Sequence, residues 1–136
     1  MTDADGWRLI GDSEFVTFGT YRRNGELVAT PVWIARDGDE LVITTERNTG
    51  KVKRLRNDAR VVMQPCSRMG KVDPGAPTVE AVGRVGAPAD QDPTANAALA
   101  RKYGWQFRAI TGFERLLRRI QRRDGQRVIL RLSPAA

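Results

Sequence analysis

Short stretches in which apolar and polar side chains alternate, each followed by tight-turn residues, constrain the fold of this chain more than any other feature. Residues 14–21 alternate with the period of two that is typical of a half-buried strand. Asn24-Gly25 follows at once, and this pair tolerates the positive φ angles of a two-residue hairpin turn. The sequence therefore predicts an antiparallel hairpin whose second strand covers residues 27–35.

The same pattern continues along the chain. A second turn at residues 37–39 leads into a third predicted strand, so the first three strands are expected to form a meander. The later predicted strands cover residues 60–66, 78–85 and 127–132. Two predicted helices, inserted at about residues 94–123, precede the last strand. Six short strands with tight turns favour a small β-barrel, because closure hides strand edges that would otherwise aggregate.

Length and composition limit both the architecture and the chemistry. The 136 residues are predicted to form one mainly β (α+β) domain over residues 1–136. The chain has no histidine, and its single cysteine is Cys66. Zinc sites, non-haem iron sites and nucleophiles activated by histidine are therefore not expected. Any enzymatic reaction would depend on a cofactor.

The ends and the apolar segments of the sequence bear on localisation. The first residues are acidic and lack the pattern of a secretory signal. No stretch approaches the roughly 20 apolar residues that cross a bilayer. A cytoplasmic protein without membrane contact is expected.

Positive charge is concentrated in one segment. The net charge is +7, and residues 47–72 contain eight basic side chains and one acidic side chain. A short helix is predicted to begin there, with Thr49 as its N-cap and Lys51, Lys53 and Arg54 in its first turn. Cations are disfavoured by roughly 0.3–1 kcal/mol each at a helix N-terminus, where an anion would be stabilised. Together with Gly50, which lets a ligand approach closely, the segment predicts a phosphate site. A solvated charged face is the alternative.

A proline interrupts the second predicted strand. Pro31 cannot donate a ladder hydrogen bond, so it indicates an edge or a bulge where main-chain groups can face a flat ligand. Trp33 could then cover or flank a ring. The alternative is that Pro31 marks an edge strand without a functional role and that Trp33 lies in the core or in a dimer contact.

Taken together, these segments resemble the split β-barrel flavin-binding family that includes the pyridoxamine phosphate oxidase-like proteins. The resemblance runs from about residue 14 to residue 134 and is closest to the actinobacterial branch of probable reductases dependent on the deazaflavin coenzyme F420. Its most specific segments are Ala29-Thr30-Pro31-Val32-Trp33, Leu41-Val42-Ile43-Thr44-Thr45, Thr49-Gly50-Lys51-Val52-Lys53-Arg54-Leu55-Arg56 and Asn57-Asp58-Ala59-Arg60-Val61.

The resemblance implies a six-stranded, FMN-binding-like split β-barrel that forms a homodimer, with a cofactor groove at the subunit interface. It implies cofactor-binding roles, and no catalytic acid or base, for Pro31, Val32, Trp33, Thr44, Thr45, Thr49, Gly50, Lys51, Lys53, Arg54 and Gln64. Thr49 and Lys51 would hold the phosphate, and Lys53 and Arg54 would lie near further anionic groups. Gln64 could reach the groove from the fourth strand.

The chain departs from this family in two places. Pyridoxamine phosphate oxidases typically have Ser-Arg-Lys where this chain has Thr49-Gly50-Lys51, and their C-terminal arginine-and-histidine signature is absent. Vitamin B6 oxidation is therefore not expected. The leading hypothesis is hydride transfer from reduced coenzyme F420 to an unsaturated small molecule.

Three alternatives remain at this point. The first is an FMN-dependent oxidoreductase that uses the same groove. The second is a non-catalytic protein that binds a flavin, deazaflavin or tetrapyrrole. The third, nucleic-acid binding through the arginine-rich segment of residues 115–123, is disfavoured because aromatic residues are not interleaved with the basic ones.

Overall fold

The computed structural model describes residues 2–109 and 127–135. The helices include α1 (Asp3–Asp12), α2 (Gly50–Asn57) and α3 (Pro93–Tyr103), with a short 3-10 helix at Ala89–Gln91. The strands are β1 (Phe15–Tyr21), β2 (Leu27–Val32), β3 (Ala35–Asp37), β4 (Glu40–Glu46), β5 (Arg60–Cys66), β6 (Val79–Pro88) and β7 (Arg127–Pro134). No helix in these ranges is long and apolar enough to span a bilayer.

The seven strands form one antiparallel sheet in the order β2-β1-β5-β6-β7-β4-β3. Both predicted tight turns are confirmed, because β1 pairs with β2 and β3 pairs with β4. Gly25 and Gly38 have the positive φ angles that these turns require, at 89° and 63°. β2 is an edge strand, as its proline predicts.

The prediction of one continuous second strand, and of a meander formed by the first three strands, is wrong. The segment of residues 27–35 divides at Trp33 and Ile34 into β2 and β3, which lie at opposite edges of the sheet. The reason is the hydrogen bonding of Ile34. Its backbone N–H donates to the Tyr103 hydroxyl, and its carbonyl accepts from the Lys102 ammonium. These groups are therefore not available to a continuous strand.

A closed six-stranded barrel is not what the described residues show. The sheet has seven strands, and its edge strands β2 and β3 are not hydrogen-bonded to each other. They are nevertheless consecutive in the chain, so the sheet curls until its two edges are two residues apart. We call the gap between β2 and β3 the seam. It is the place where the curled sheet of this mainly β fold stays open.

The main core fills the inside of the curled sheet. It contains the inward side chains of the strands together with Val52 and Leu55 of α2 and Ile10 of α1. A second cluster lies outside, where Leu99 and Tyr103 of α3 pack on Val42 of β4. The two helices α2 and α3 thus approach the seam from different sides.

The helix predictions need one correction. α1 was not predicted, although Thr2 and Asp5 form a capping box and Ile10 is fully buried. α3 begins as expected, and its capping side chain is Asp92, which accepts from the backbone N–H of Ala95. The predicted helix around residues 110–123 and its arginine face lie outside the described residues.

Candidate functional site

A groove of about 280 Å³ lies at the seam of the sheet. It forms because β3 is short and pairs only with the first residues of β4. Beyond Val42, the edge of β4 that faces the seam has no strand partner in the described ranges. Backbone polar groups on this edge are available to a ligand. The groove is lined by Phe15, Pro31, Val32, Trp33, Thr44, Thr45, Lys51, Phe107 and Arg127.

Six of the eleven residues predicted to bind a cofactor line this groove together. They are Pro31, Val32, Trp33, Thr44, Thr45 and Lys51. The two threonines lie next to each other on β4 and therefore face opposite sides of the sheet edge. Three separate segments of sequence thus meet at one place.

One end of the groove is aromatic. The Trp33 indole stacks on the Tyr103 ring, with centroids 4.5 Å apart and planes 12° from parallel. Phe15 is also near Trp33, with ring centroids 6.5 Å apart and planes tilted by 51°. Phe107 adds a third groove-lining ring. This wall provides a rigid apolar surface of the kind that a planar ring stacks on.

The other end of the groove is cationic. Lys51 lies in the first turn of α2, just after β4, and Arg127 pairs in register with Glu46 at the end of β4. Burial lowers the pKa of Lys51, and the nearby charges of Arg54 and Arg127 lower it further. Glu46 offsets part of this effect. In the described ranges no carboxylate forms an ion pair with Lys51.

The N-terminus of α2 lacks the side-chain cap that α1 and α3 have. Thr49 occupies the N-cap position, as predicted, but its hydroxyl donates to the Glu46 carbonyl at 3.0 Å and does not cap the helix. α1 and α3, in contrast, are capped by side chains. The first turn of α2 contains no acidic residue. Its N–H groups therefore remain suited to an external anion.

The remaining predicted residues are distributed around the groove without lining it. Thr49 and Gly50 begin α2 beside Lys51, and Lys53 is exposed to solvent. Arg54 turns towards β1, where its Nε donates to the Thr20 hydroxyl at 2.8 Å. Gln64 lies on the outer face of β5 opposite Thr17, so the structure does not bring it into the groove.

Three groove residues were not predicted from sequence. Phe15 and Arg127 are the first residues of β1 and β7, and Phe107 follows α3. Phe15 was visible as an aromatic in an alternating strand. Nothing local, however, indicated that the N-terminal ends of β1 and β7 meet at the seam, because this depends on the strand order.

The groove is better suited to binding than to proton transfer by side chains. Its described lining contains no carboxylate, histidine or thiol. The titratable lining group with a shifted pKa is Lys51, and its position at the start of α2 suits it to hold an anion. The aromatic wall, the free backbone edge and the cations together fit a flat molecule that carries an anionic group.

A protein-family model described as pyridoxamine 5'-phosphate oxidase matches residues 8–136. The chain belongs to this family. No curated protein matches the chain. The family provides the flavin-binding fold that the site geometry suggests, and the expected resemblance is confirmed at this level.

Solved structures with low sequence identity share the fold. An F420 reductase is 23% identical, with a TM-score of 0.53 over 96% of this chain and 94% of its own. An FAD-binding protein from Mycobacterium smegmatis is 12% identical, with a TM-score of 0.60 over 100% and 92%. The heme storage protein HutZ from Vibrio cholerae is 10% identical, with a TM-score of 0.65 over 98% and 89%.

Proposed function

We propose that this chain is an oxidoreductase that uses the deazaflavin coenzyme F420 to reduce an unsaturated small molecule. The observation that carries the proposal is the groove itself, which joins an aromatic wall to a cationic helix N-terminus. The fold similarity to an F420 reductase supports it, as does the sequence resemblance to the actinobacterial branch of such enzymes.

The residues of the groove fit the two parts of such a coenzyme. Trp33 and Phe15 would contact the ring system, and the free edge of β4 at Thr44 and Thr45 would offer backbone hydrogen bonds to it. Lys51 and the uncapped N–H groups of α2 would hold the phosphate. When bound, the reduced coenzyme supplies a hydride; the protein orients the ring and excludes water.

The proton that completes a reduction would come from solvent in this proposal. The described groove lining contains no carboxylic acid, histidine or thiol, and Lys51 is assigned to the phosphate in this proposal. The groove would therefore act by holding the coenzyme ring and the substrate in contact with each other.

We also propose a homodimer in which a second copy completes the cofactor site. A groove of about 280 Å³ lies at the small end of ligand pockets and is open. The outer face of β2, β1, β5 and β6 continues from Pro31 and exposes Leu27 and Val82, at 46% and 47%. No helix in the described ranges packs on this face. A second copy would cover it and complete the groove.

The experiment that tests the function is a titration with oxidised coenzyme F420 and with FMN, followed by fluorescence. Binding of F420 in preference to FMN is expected, and Lys51→Ala should weaken it by about tenfold or more. Lys71→Ala is the control, because it removes the same charge from an exposed loop. Tight FMN binding with no F420 binding would make the chain an FMN oxidoreductase.

A second measurement separates an enzyme from a binding protein. Reduced F420 is mixed with the protein and a panel of conjugated acceptors, and its reoxidation is followed by absorbance. An acceptor reduced faster with protein than without it is expected. If tight binding were accompanied by no acceleration, a storage role would replace the reductase. HutZ shows that this fold also occurs in a heme storage protein, although this chain has no histidine to ligate heme iron.

A further inference from the structure

We infer that Arg127 binds the oxygen atoms of the molecule that is reduced, and that this substrate is a conjugated carbonyl compound, such as an unsaturated acid or aldehyde. The inference deepens the proposed function and rests on it, because it concerns the second ligand of the same groove. Arg127 lines this groove from β7, and the family resemblance implies no role for it.

Arg127 reaches the groove from the outer face of the sheet. It pairs with Glu46 of β4, and two residues further along β7 Ile129 pairs with Thr44. Ile129 belongs to the cluster outside the sheet, together with the groove-lining ring of Phe107. Side chains two residues apart on a strand share a face, so Arg127 lies on this outer face as well.

Lys51 reaches the groove from the inner side of β4. Val52, its neighbour in α2, is fully buried in the main core inside the curled sheet. Thr45, another lining residue, lies two residues after Ile43 of the same core and shares its inner face. The two cations of the groove therefore meet ligand groups on different sides of the β4 edge. One cation suits the coenzyme phosphate, and the other suits a second ligand.

The charges of the groove select among substrates. Its described lining contains Lys51 and Arg127 and no carboxylate. Burial has the largest effect in lowering the pKa of Lys51, and the charges of Arg54 and then Arg127 lower it further, so these positive charges act on the same small space. A substrate with a carboxylate or a polarised carbonyl oxygen on the outer side is attracted, and a cationic substrate is repelled.

A guanidinium in this position also favours the reduction of a conjugated carbonyl compound. A hydride from the reduced coenzyme adds to the β-carbon, and the electron pair of the C=C bond moves towards the carbonyl oxygen. The enolate oxygen that results is stabilised by the paired N–H groups of Arg127. A proton from solvent then adds to the α-carbon. The substrate has gained two hydrogen atoms, and the coenzyme has lost two electrons and one proton.

The apolar part of such a substrate matches the remaining lining on the outer side. Phe107 is 7% exposed and belongs to the same cluster as Ile129, two residues from Arg127. The Trp33 indole, fixed by its stack on Tyr103, adds a second ring to this wall. Rigid rings beside a cation suit a planar, unsaturated body that ends in oxygen.

The first test measures the binding of cinnamate, a planar unsaturated acid, to the chain loaded with oxidised coenzyme F420, by isothermal titration calorimetry. Arg127→Met should weaken cinnamate by about tenfold or more and change the affinity for F420 by less than about twofold. Lys51→Ala should show the reverse pattern. Arg101→Met, which removes the same charge from an exposed position of α3, should alter neither ligand by more than about twofold.

Two further variants at position 127 keep the test decisive. Arg127→Lys retains the positive charge and should restore part of the cinnamate affinity, which a merely structural role of Arg127 would not explain. If circular dichroism shows that Arg127→Met is unfolded, Arg127→Gln takes its place, because it also removes the charge.

The second test compares acceptors that share a planar conjugated body and differ in charge. Cinnamaldehyde, cinnamate and a styrylpyridinium cation are each mixed with the chain and reduced F420, and reoxidation is followed by absorbance. The chain should accelerate reduction of the aldehyde and should neither bind nor reduce the cation. Arg127→Met should lower kcat for the aldehyde more than it raises KM, because the enolate oxygen carries more charge than the aldehyde oxygen.

The outcomes separate this inference from the proposed function. If Arg127→Met weakens F420 as Lys51→Ala does and leaves cinnamate unchanged, Arg127 belongs to the cofactor; the inference is wrong and the function stands. Equal loss of both ligands would make Arg127 merely structural and would also overturn the inference. So would a loaded chain that binds the cation as well as cinnamate, or that binds neither cinnamate nor cinnamaldehyde. If the unmodified chain binds neither F420 nor FMN, both proposals fail.

Discussion

Tyr103 stacks on Trp33 and, through its hydroxyl, accepts the backbone N–H of the next residue, Ile34, at 2.9 Å. The same hydroxyl donates to the carbonyl of Glu14 at 2.7 Å. One side chain of α3 thus supports both the aromatic wall of the groove and the connection between the two sheet edges. The neighbouring Lys102 adds hydrogen bonds to the carbonyls of Gly11 and Ser13.

Tyr103→Phe should keep the stack but leave the buried N–H of Ile34 without an acceptor. We expect the free energy of unfolding to fall by about 1–3 kcal/mol, which is the usual cost of a buried unsatisfied donor. Urea denaturation followed by circular dichroism measures it. Tyr21→Phe is the control, because that hydroxyl lies at the end of β1, where Arg60 contacts only the ring. Equal loss in both variants would contradict this role of Tyr103.

Binding of the anionic cofactor should weaken as the pH rises on the alkaline side. Burial lowers the pKa of Lys51 below its ordinary value of 10.5, and a bound anion would raise it again. Affinity is therefore full below the pKa of the free protein and declines between the free and the bound pKa values. Titrations of FMN from pH 7 to pH 10 measure this. Lys51→Met should remove the dependence, and an unchanged pH profile in that variant would exclude Lys51 as its source.

Leu27→Lys should disrupt the proposed homodimer without unfolding the protomer. Leu27 lies on the edge strand β2 and is 46% exposed, so a charge there is tolerated in a monomer but not in an apolar interface. Analytical ultracentrifugation should show a dimer for the unmodified chain and a shift to monomer for the variant. Ala4→Lys, on the exposed side of α1, is the control. A monomeric unmodified chain would contradict the homodimer.

Asp92→Ala should destabilise the protein more than a surface carboxylate normally does. Asp92 caps α3 through the N–H of Ala95 and accepts from Arg131 at 2.9 Å. Loss of the cap and of charged hydrogen bonds together is expected to cost about 2–4 kcal/mol of unfolding free energy. Asp92→Asn, which retains a capping oxygen, should cost less. Thermal unfolding measures both, and equal effects would contradict the role of the cap.

The parts of the fold that depend on local chemistry could be predicted from the sequence. Asn24-Gly25 and Pro31 acted as expected because turn geometry and the missing N–H of proline are properties of the residues themselves. The break after Val32 could not be predicted. It depends on Tyr103 and Lys102, which reach Ile34 from nearly seventy residues away.

Some residues of the candidate site could likewise be predicted from the sequence, and others could not. The charge conflict in the first turn of α2 is visible in the sequence, and one of its residues, Lys51, lines the groove in the structure. The contribution of Arg127 depends on β7 pairing with β4, which no local pattern reveals. Gly50 was interpreted as space for a ligand, whereas in the structure the guanidinium of Arg54 occupies part of that space.

The two-residue connection between the opposite edges of the sheet limits how the groove can adapt. The Cα atoms of Val32 and Ala35 are joined by three peptide units and can be no more than about 11 Å apart. At that end covalent bonds limit the width of the groove, so it cannot widen for a larger ligand. The groove can widen only at its opposite end, beside α2, while its width at the connection stays fixed. Ligands should therefore differ most in size where they meet the helix, and least where they meet Trp33.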